Sequence, residues 1–137
     1  MENMSTEKNL SVVDTFFARL QAGASPDEVA ALFTDHVDWD VPGATGVVAW
    51  VGKRQTPAEV SDFYRTLSEK TQLVRFDVYS ILPSETTTVV LGYFESLVVS
   101  SQKTIKSEFA MQIGVTDGKI DRYRFYEDSY AVAQAMS

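Results

Sequence analysis

The residues best suited to chemistry lie late in the chain, in DGKIDRYRFYEDSY, Asp117–Tyr130. An Asp-Gly pair, the favoured hairpin signal, opens this stretch. Alternation along the strand that follows puts Tyr123, Phe125 and Glu127 on one face and Arg122, Arg124 and Tyr126 on the other. A carboxylate facing aromatic walls has a raised pKa, which suits proton transfer. The competing reading leaves Glu127 exposed at the strand end, where Glu127-Asp128-Ser129 supports the start of a last short helix. Tyr64 offers a hydroxyl that either donates to a ligand oxygen or belongs to a core tyrosine bonded to backbone.

Three further positions carry ionisable groups of interest. Asp40, with Asp38, flanks Trp39, and both acids are expected to face away from a pocket. No histidine or third acid converges on them, so a metal is not expected. His36, the only histidine, follows Asp35 in a helix-to-strand turn and reads either as a surface residue or as a base. Trp50 and Arg54 sit in a glycine-rich loop and either clamp an anionic or planar ligand or seal one end of the domain. Arg122, Arg124, Glu108 and Glu95 read as cross-strand charge pairs on an outer sheet face.

The elements that must position these side chains are legible in the spacing. Leu10, Val13, Phe16, Phe17 and Leu20 recur at helical spacing, and Gly23 supplies a stop. Residues 1–7 are read as a flexible tail. Ser25-Pro26-Asp27-Glu28 starts a second helix with apolar side chains Val29, Leu32 and Phe33, and Thr56-Pro57-Ala58-Glu59 starts a third with Val60, Phe63, Tyr64 and Leu67. The short alternating segment VDWDVPG lies between them. Period-two strands then follow at Leu73–Leu82, Thr86–Val99 and Thr104–Val115. In the last of these Ile105, Phe109, Met111, Ile113 and Val115 share a face, opposite Lys106, Glu108 and Gln112. Helices followed by antiparallel strands imply an α+β domain with the helices on one sheet face.

Composition narrows the function classes. A chain of 137 residues, 45% hydrophobic and 23% charged, is one ordinary folded domain. Its net charge of −7 and scattered basic residues argue against nucleic acid and anionic membranes. Without cysteine there is neither a disulfide nor a thiolate. There is no membrane-spanning run, secretory signal or glycine-rich phosphate loop, so a cytoplasmic protein without a cofactor is the expectation.

Two helices, a strand ending in W-D-V-P-G, a third helix carrying D-F-Y and strands closing on D-G-K-I-x-R-Y-R-x-Y together resemble the nuclear-transport-factor-like, cystatin-like cone fold. The closest resemblance is to its SnoaL-like and ketosteroid-isomerase-like branch, over residues 8 to 135. The resemblance implies three helices on a strongly curved, mainly antiparallel sheet that forms a cone with an internal pocket. It implies no single activity, because the fold hosts isomerases, cyclases, hydrolases and proteins without chemistry.

Carried over position by position, the isomerase base falls at Val41, its oxyanion tyrosine at Phe16 and its second oxyanion donor at Met111. Only the supporting hydroxyl survives, at Tyr64. The polar residues of the epoxide hydrolases fall at Gly92, Phe94 and Phe125, with Trp39 and Val41 in place of the residues that position water. The acidic residue of the SnoaL-like cyclases falls near Phe125, and Glu127 or Asp128 can substitute for it. The pocket wall is thus expected to include Phe16, Trp39, Val41, Phe94, Phe109, Met111, Tyr123 and Phe125, with Trp50 and Arg54 at the mouth. The expected function is acid–base chemistry on a small hydrophobic substrate, by Glu127 or else Asp40 or His36, with Tyr64 as donor. The alternative is non-catalytic binding of a small hydrophobic ligand. The strand Thr86–Val99 is apolar on both faces, so a homodimer through the outer sheet face is expected.

Overall fold

The computed structural model describes residues 2–137, with side-chain environments from Ser5 onward. Helix α1 spans Glu2–Gln21 and buries Val13 and Phe16 completely. The segment expected as a tail is therefore helical from Glu2, and Met1 lies outside the described residues. Gly23, at φ +73°, ends the helix by letting the Gly23 and Ala24 amides turn back onto the Leu20 and Arg19 carbonyls.

Helix α2, Pro26–Ala30, starts with the full capping box: the Ser25 hydroxyl accepts from the Glu28 amide, and the Glu28 carboxylate accepts from the Ser25 amide. It is shorter than the spacing suggests. Phe33, expected on this helix, begins strand β1, Phe33–Val41. The cause is a long-range partner: the Ile120 amide donates to the Leu32 carbonyl, and Phe33 pairs with Ile120. Strand β2, Gly52–Arg54, is a three-residue strand pairing antiparallel with β1 inside what reads as loop. Helix α3, Pro57–Lys70, has Thr56 as N-cap, while the Glu59 carboxylate accepts from the Gln55 amide and the Thr56 hydroxyl rather than from the Thr56 amide.

The remaining strands are β3 (Thr71–Pro83), β4 (Thr87–Val98), β5 (Lys103–Thr116) and β6 (Lys119–Tyr126), followed by α4, Ser129–Ala135. They form one six-stranded sheet in the order β2-β1-β6-β5-β4-β3, open at both edges. The expected four-stranded antiparallel run is thus extended by β1, which pairs parallel to β6, and by β2 beyond it. Helices packed on a mostly antiparallel, unclosed sheet make this the α+β cone architecture. Two register shifts in β3, at Leu73/Arg75 and Val78/Ser80, insert the bulges that bend a long strand.

Register decides which side chains face the helices. Asp117 and Gly118, both at positive φ, make the tight turn between β5 and β6. Pairing then sets Ile113 opposite Tyr123 and Met111 opposite Phe125, so the expected inward set of β6 is realised. A bulge between Gly114 and Val115 switches parity, which lets Ile120 and Tyr123 both be buried. On β4 the even positions Val90, Phe94 and Val98 are buried and the odd positions Leu91, Tyr93 and Leu97 are half-buried. Gly92 interrupts the inner row because a Cβ there would lie 2.1 Å from the Asp77 carbonyl oxygen and 2.6 Å from Phe109 Cζ. No helix among the described residues is long and apolar enough to cross a membrane.

Candidate functional site

The inner face of the sheet and helices α1, α2 and α3 enclose a cavity of about 880 Å³. One wall comes from β6 and β5. Tyr123, Phe125 and Glu127 descend from β6 at period two, and Met111 and Ile105 stand beside them on β5. Phe94 and Ser96 continue the wall on β4, and Phe76, Val78 and Ile81 on β3. The helices add Phe17, Phe63, Tyr64 and Leu67.

Beneath this wall is a packed aromatic floor. Trp39 stacks on Tyr123 at 4.1 Å between centroids, and Phe16 and Phe33 meet Tyr123 edge-on at 6.1 and 6.4 Å. Phe63 meets Trp39 edge-on at 4.9 Å. Such pairs add about 0.5–1.5 kcal/mol each beyond area burial, so the Tyr123 ring is held from several sides. A second stack runs Phe76–Phe109–Phe125, at 4.9 and 5.2 Å.

Glu127 sits where β6 ends, half-buried in the cavity wall. Its carboxyl is pushed up to about 7, chiefly by burial and secondarily by the charge of Asp128. Near neutrality it is therefore divided between acid and base. The capping role belongs to Asp128, whose carboxylate accepts from the Ala131 amide, and not to Glu127. Burial and the Glu127 charge raise the Tyr123 hydroxyl. Burial also raises Tyr64, followed by the influence of the Tyr123 hydroxyl. Both phenols stay protonated and act as donors. Tyr64 Oη is buried and takes no backbone hydrogen bond among the described residues; the group beside it is the Tyr123 hydroxyl.

The candidate residues divide clearly. The cavity brings together Glu127, Tyr64, Val41, Trp50, Phe94, Met111, Tyr123 and Phe125. Phe16, Trp39 and Phe109 support those side chains from behind. His36 is exposed, and Asp40 points from the opposite face of β1 to the buried Trp39 and Val41, so neither reaches the cavity. Arg54 is also outside the lining: its guanidinium lies 5.1 Å over the Phe63 ring and donates to the Trp50 carbonyl at 3.0 Å. It ties the loop to α3. Arg122 and Arg124 pair with Asp38 on β1 rather than with Glu108 or Glu95, because the parallel β1–β6 pairing sets Asp38 opposite Arg122. Among the described residues no group of three or more His, Cys, Asp and Glu could hold a metal ion.

Several wall residues escaped the sequence reading. Ser96 shares the parity of Phe94, and Val78 and Ile81 lie in an apolar strand, so alternation could have found them. Asp14 and Gln21 on α1 have no such signal.

Residues 13–123 match the SnoaL-like domain family. No curated protein matches the chain. Among solved structures, an NTF2-like protein from Burkholderia xenovorans LB400 superposes with a TM-score of 0.85 at 22% identity, over 96% of this chain and 98% of that one. TerC co-crystallized with polyporic acid superposes at 0.77 with 17% identity, over 94% and 98% of the two chains. A protein with a ketosteroid isomerase-like fold from Catenulispora acidiphila DSM 44928, in complex with trimethylamine, gives 0.67 at 10% identity over 84% and 83%. These likenesses extend to the fold alone. With a family match over most of its length and a cone-shaped sheet around an apolar cavity, this chain belongs to the SnoaL-like domain family.

Proposed function

We propose that this chain takes a small hydrophobic molecule into the cone cavity and acts on it by acid–base chemistry. Glu127 moves the proton, and Tyr64 donates a hydrogen bond to the substrate. The observation that carries this reading is the placement of Glu127. It is a half-buried carboxyl in an aromatic wall, poised near neutrality and on the same cavity as the Tyr64 side chain. A base near the working pH combines a useful ionised fraction with proton affinity. Two proteins of the same fold were crystallized with small organic molecules, polyporic acid and trimethylamine, which is in keeping with a ligand-binding role.

The test uses solvent deuterium exchange into a panel of hydrophobic carbonyl compounds, read by mass spectrometry. Wild type should catalyse exchange into at least one compound, and Glu127→Gln should lose it while still binding that compound. Equal exchange by both proteins would remove Glu127 from the reaction.

A second reading is non-catalytic binding. It is favoured by the apolar Val41, Phe94, Met111 and Phe125 in the wall, at positions where catalytic relatives are expected to carry polar groups. Binding without exchange by any panel member would select it.

We further propose a homodimer in the cytoplasm, joined through the outer sheet face. Leu91, Tyr93 and Leu97 are half-buried there, and Tyr126 is 47% exposed. Exposed apolar patches on this scale are uncommon on monomers.

A further inference from the structure

The walls of the cavity contain two carboxylates, Asp14 and Glu127, and no lysine, arginine or histidine. The arginines next in sequence to lining residues are committed elsewhere: Arg19 donates to the Glu28 carbonyl, Arg65 and Arg75 pair with Asp62 and Asp77, and Arg122 and Arg124 pair with Asp38. Arg54 lies over the Phe63 ring and donates to the Trp50 carbonyl. The rest of the lining is dominated by aromatic and aliphatic side chains, with Trp50, Phe94, Tyr123 and Phe125 among the rings. An anion brought into this space would meet like charge at Glu127 and no cation to offset its desolvation. A cation would meet a carboxylate together with ring faces whose quadrupoles attract positive charge. The charge inventory of the walls therefore discriminates between ligand classes before any shape is considered.

We infer that the cavity selects hydrophobic amines, held as ammonium cations with the positive nitrogen against Glu127 and the apolar body along the aromatic walls. The inference rests on the reading that Glu127 faces the ligand in this cavity, and it holds whether or not the ligand turns over. Tyr64 and Tyr123 do not oppose the cation, because both remain neutral donors whose oxygens can also accept.

Selection should depend on pH with a definite sign. Glu127 titrates at about 7, so its carboxylate, and the attraction for a cation, grows as pH rises through that value. The other ionisable groups nearby are Asp128 beside it, Asp14 on α1, Tyr64 on α3 and Tyr123 on β6. None of them adds positive charge.

The experiment is calorimetric titration of the intact protein with three probes of one shape. These are benzyltrimethylammonium, whose charge does not vary with pH, its neutral carbon isostere neopentylbenzene, and the anion phenylacetate. At pH 8.5 the cation should bind at least about tenfold more tightly than the isostere, and the anion should not bind measurably. At pH 5.5 the preference for the cation should shrink to about twofold. Glu127→Gln should abolish both the preference and its pH dependence while leaving the neutral probe's affinity unchanged. Tighter binding of the anion, no preference for the cation, or a preference that survives Glu127→Gln would overturn the inference. So would failure of the cation to bind at millimolar concentration. Binding of the neutral probe reports separately on the cavity: its success alongside a charge-blind result would sink the amine inference and leave the proposed function standing.

Discussion

On the β1–β6 side of the sheet, Trp39 and Tyr123 are 1% and 4% exposed under Phe16 and Phe33. On the β3 side, the inward-facing Leu73, Phe76, Val78 and Ile81 are 64%, 37%, 42% and 37% exposed. Both sets are large apolar residues at strand periodicity on one face of one sheet. The difference is the helical cover. Helix α3 lies on β1, and α1 crosses the middle strands, while β3 forms an outer edge. Burial in this fold is set by what lies above a side chain, not by its hydrophobicity. The open side therefore exposes apolar area whose removal from water is worth about 25 cal/mol per Å² to any molecule that covers it.

The contrast can be broken by mutation. Trp39→Ala should cost about 3–5 kcal/mol in urea unfolding, the range for emptying a buried aromatic site, whereas Phe76→Ala should cost about 1 kcal/mol. Equal losses would mean that the β3 side is covered in solution. Next in size is a pH effect at the closed end. The Glu127 pKa is raised from about 4.5 to about 7 on folding, so its contribution to stability is fully present below the unfolded value and is lost as pH rises towards 7. The loss is on the order of 2–3 kcal/mol at the scale of 1.36 kcal/mol per unit. Melting temperature should therefore fall between pH 5 and pH 8 in wild type, and Glu127→Gln should flatten that part of the curve. A parallel fall in both proteins would assign it to other groups.

Gly92→Ala sharpens the comparison at the junction between the two sides. The added methyl would press on the Asp77 carbonyl and the Phe109 ring, and overpacking of this kind costs about 1–3 kcal/mol. Because Phe109 links Phe76 to Phe125, the variant should also change ligand affinity, measured by the same titration as its stability. The smallest expected effect is nil: no appreciable turnover in a Δ5-ketosteroid isomerase assay, since the resemblance implies Val41, Phe16 and Met111 at the positions of that enzyme's base and oxyanion donors. Losing one such donor alone costs about 10²–10³ in rate. Robust turnover would show that the cavity organises a different set of groups for the same chemistry.

The same contrast separates what the sequence made legible from what it did not. Helix starts at Ser25 and Thr56, the Asp117-Gly118 turn and the parity of Phe109, Met111, Tyr123, Phe125 and Glu127 were readable because each depends on neighbours in the chain. Tyr64 was readable as an inward-facing residue of α3 because that helix face is periodic. The features decided between distant segments were not readable. Leu32 left its helix for Ile120, β1 settled parallel to β6, and Arg124 turned to Asp38, 86 residues away. Arg54 was misplaced for the same reason, since its cation–π seat on Phe63 exists only after α3 has docked. The bulges of β3 and β6 left no local mark beyond Gly114, where a Cβ would lie 2.8 Å from Oδ1 of Asp121, the extra residue of β6.

The two bulges in β3 have a consequence for colloidal behaviour. An edge strand of 13 residues with apolar side chains is the segment through which folded chains join edge to edge and aggregate. At each bulge the ladder loses its even spacing and the strand twists, so a second copy arriving in register meets donors and acceptors out of step. Arg75 and Asp77, paired on the outer face between the two bulges, add fixed charges to the same stretch. The chain thus keeps an apolar rim exposed beside its cavity while interrupting the regular edge that would make this rim the start of a fibril.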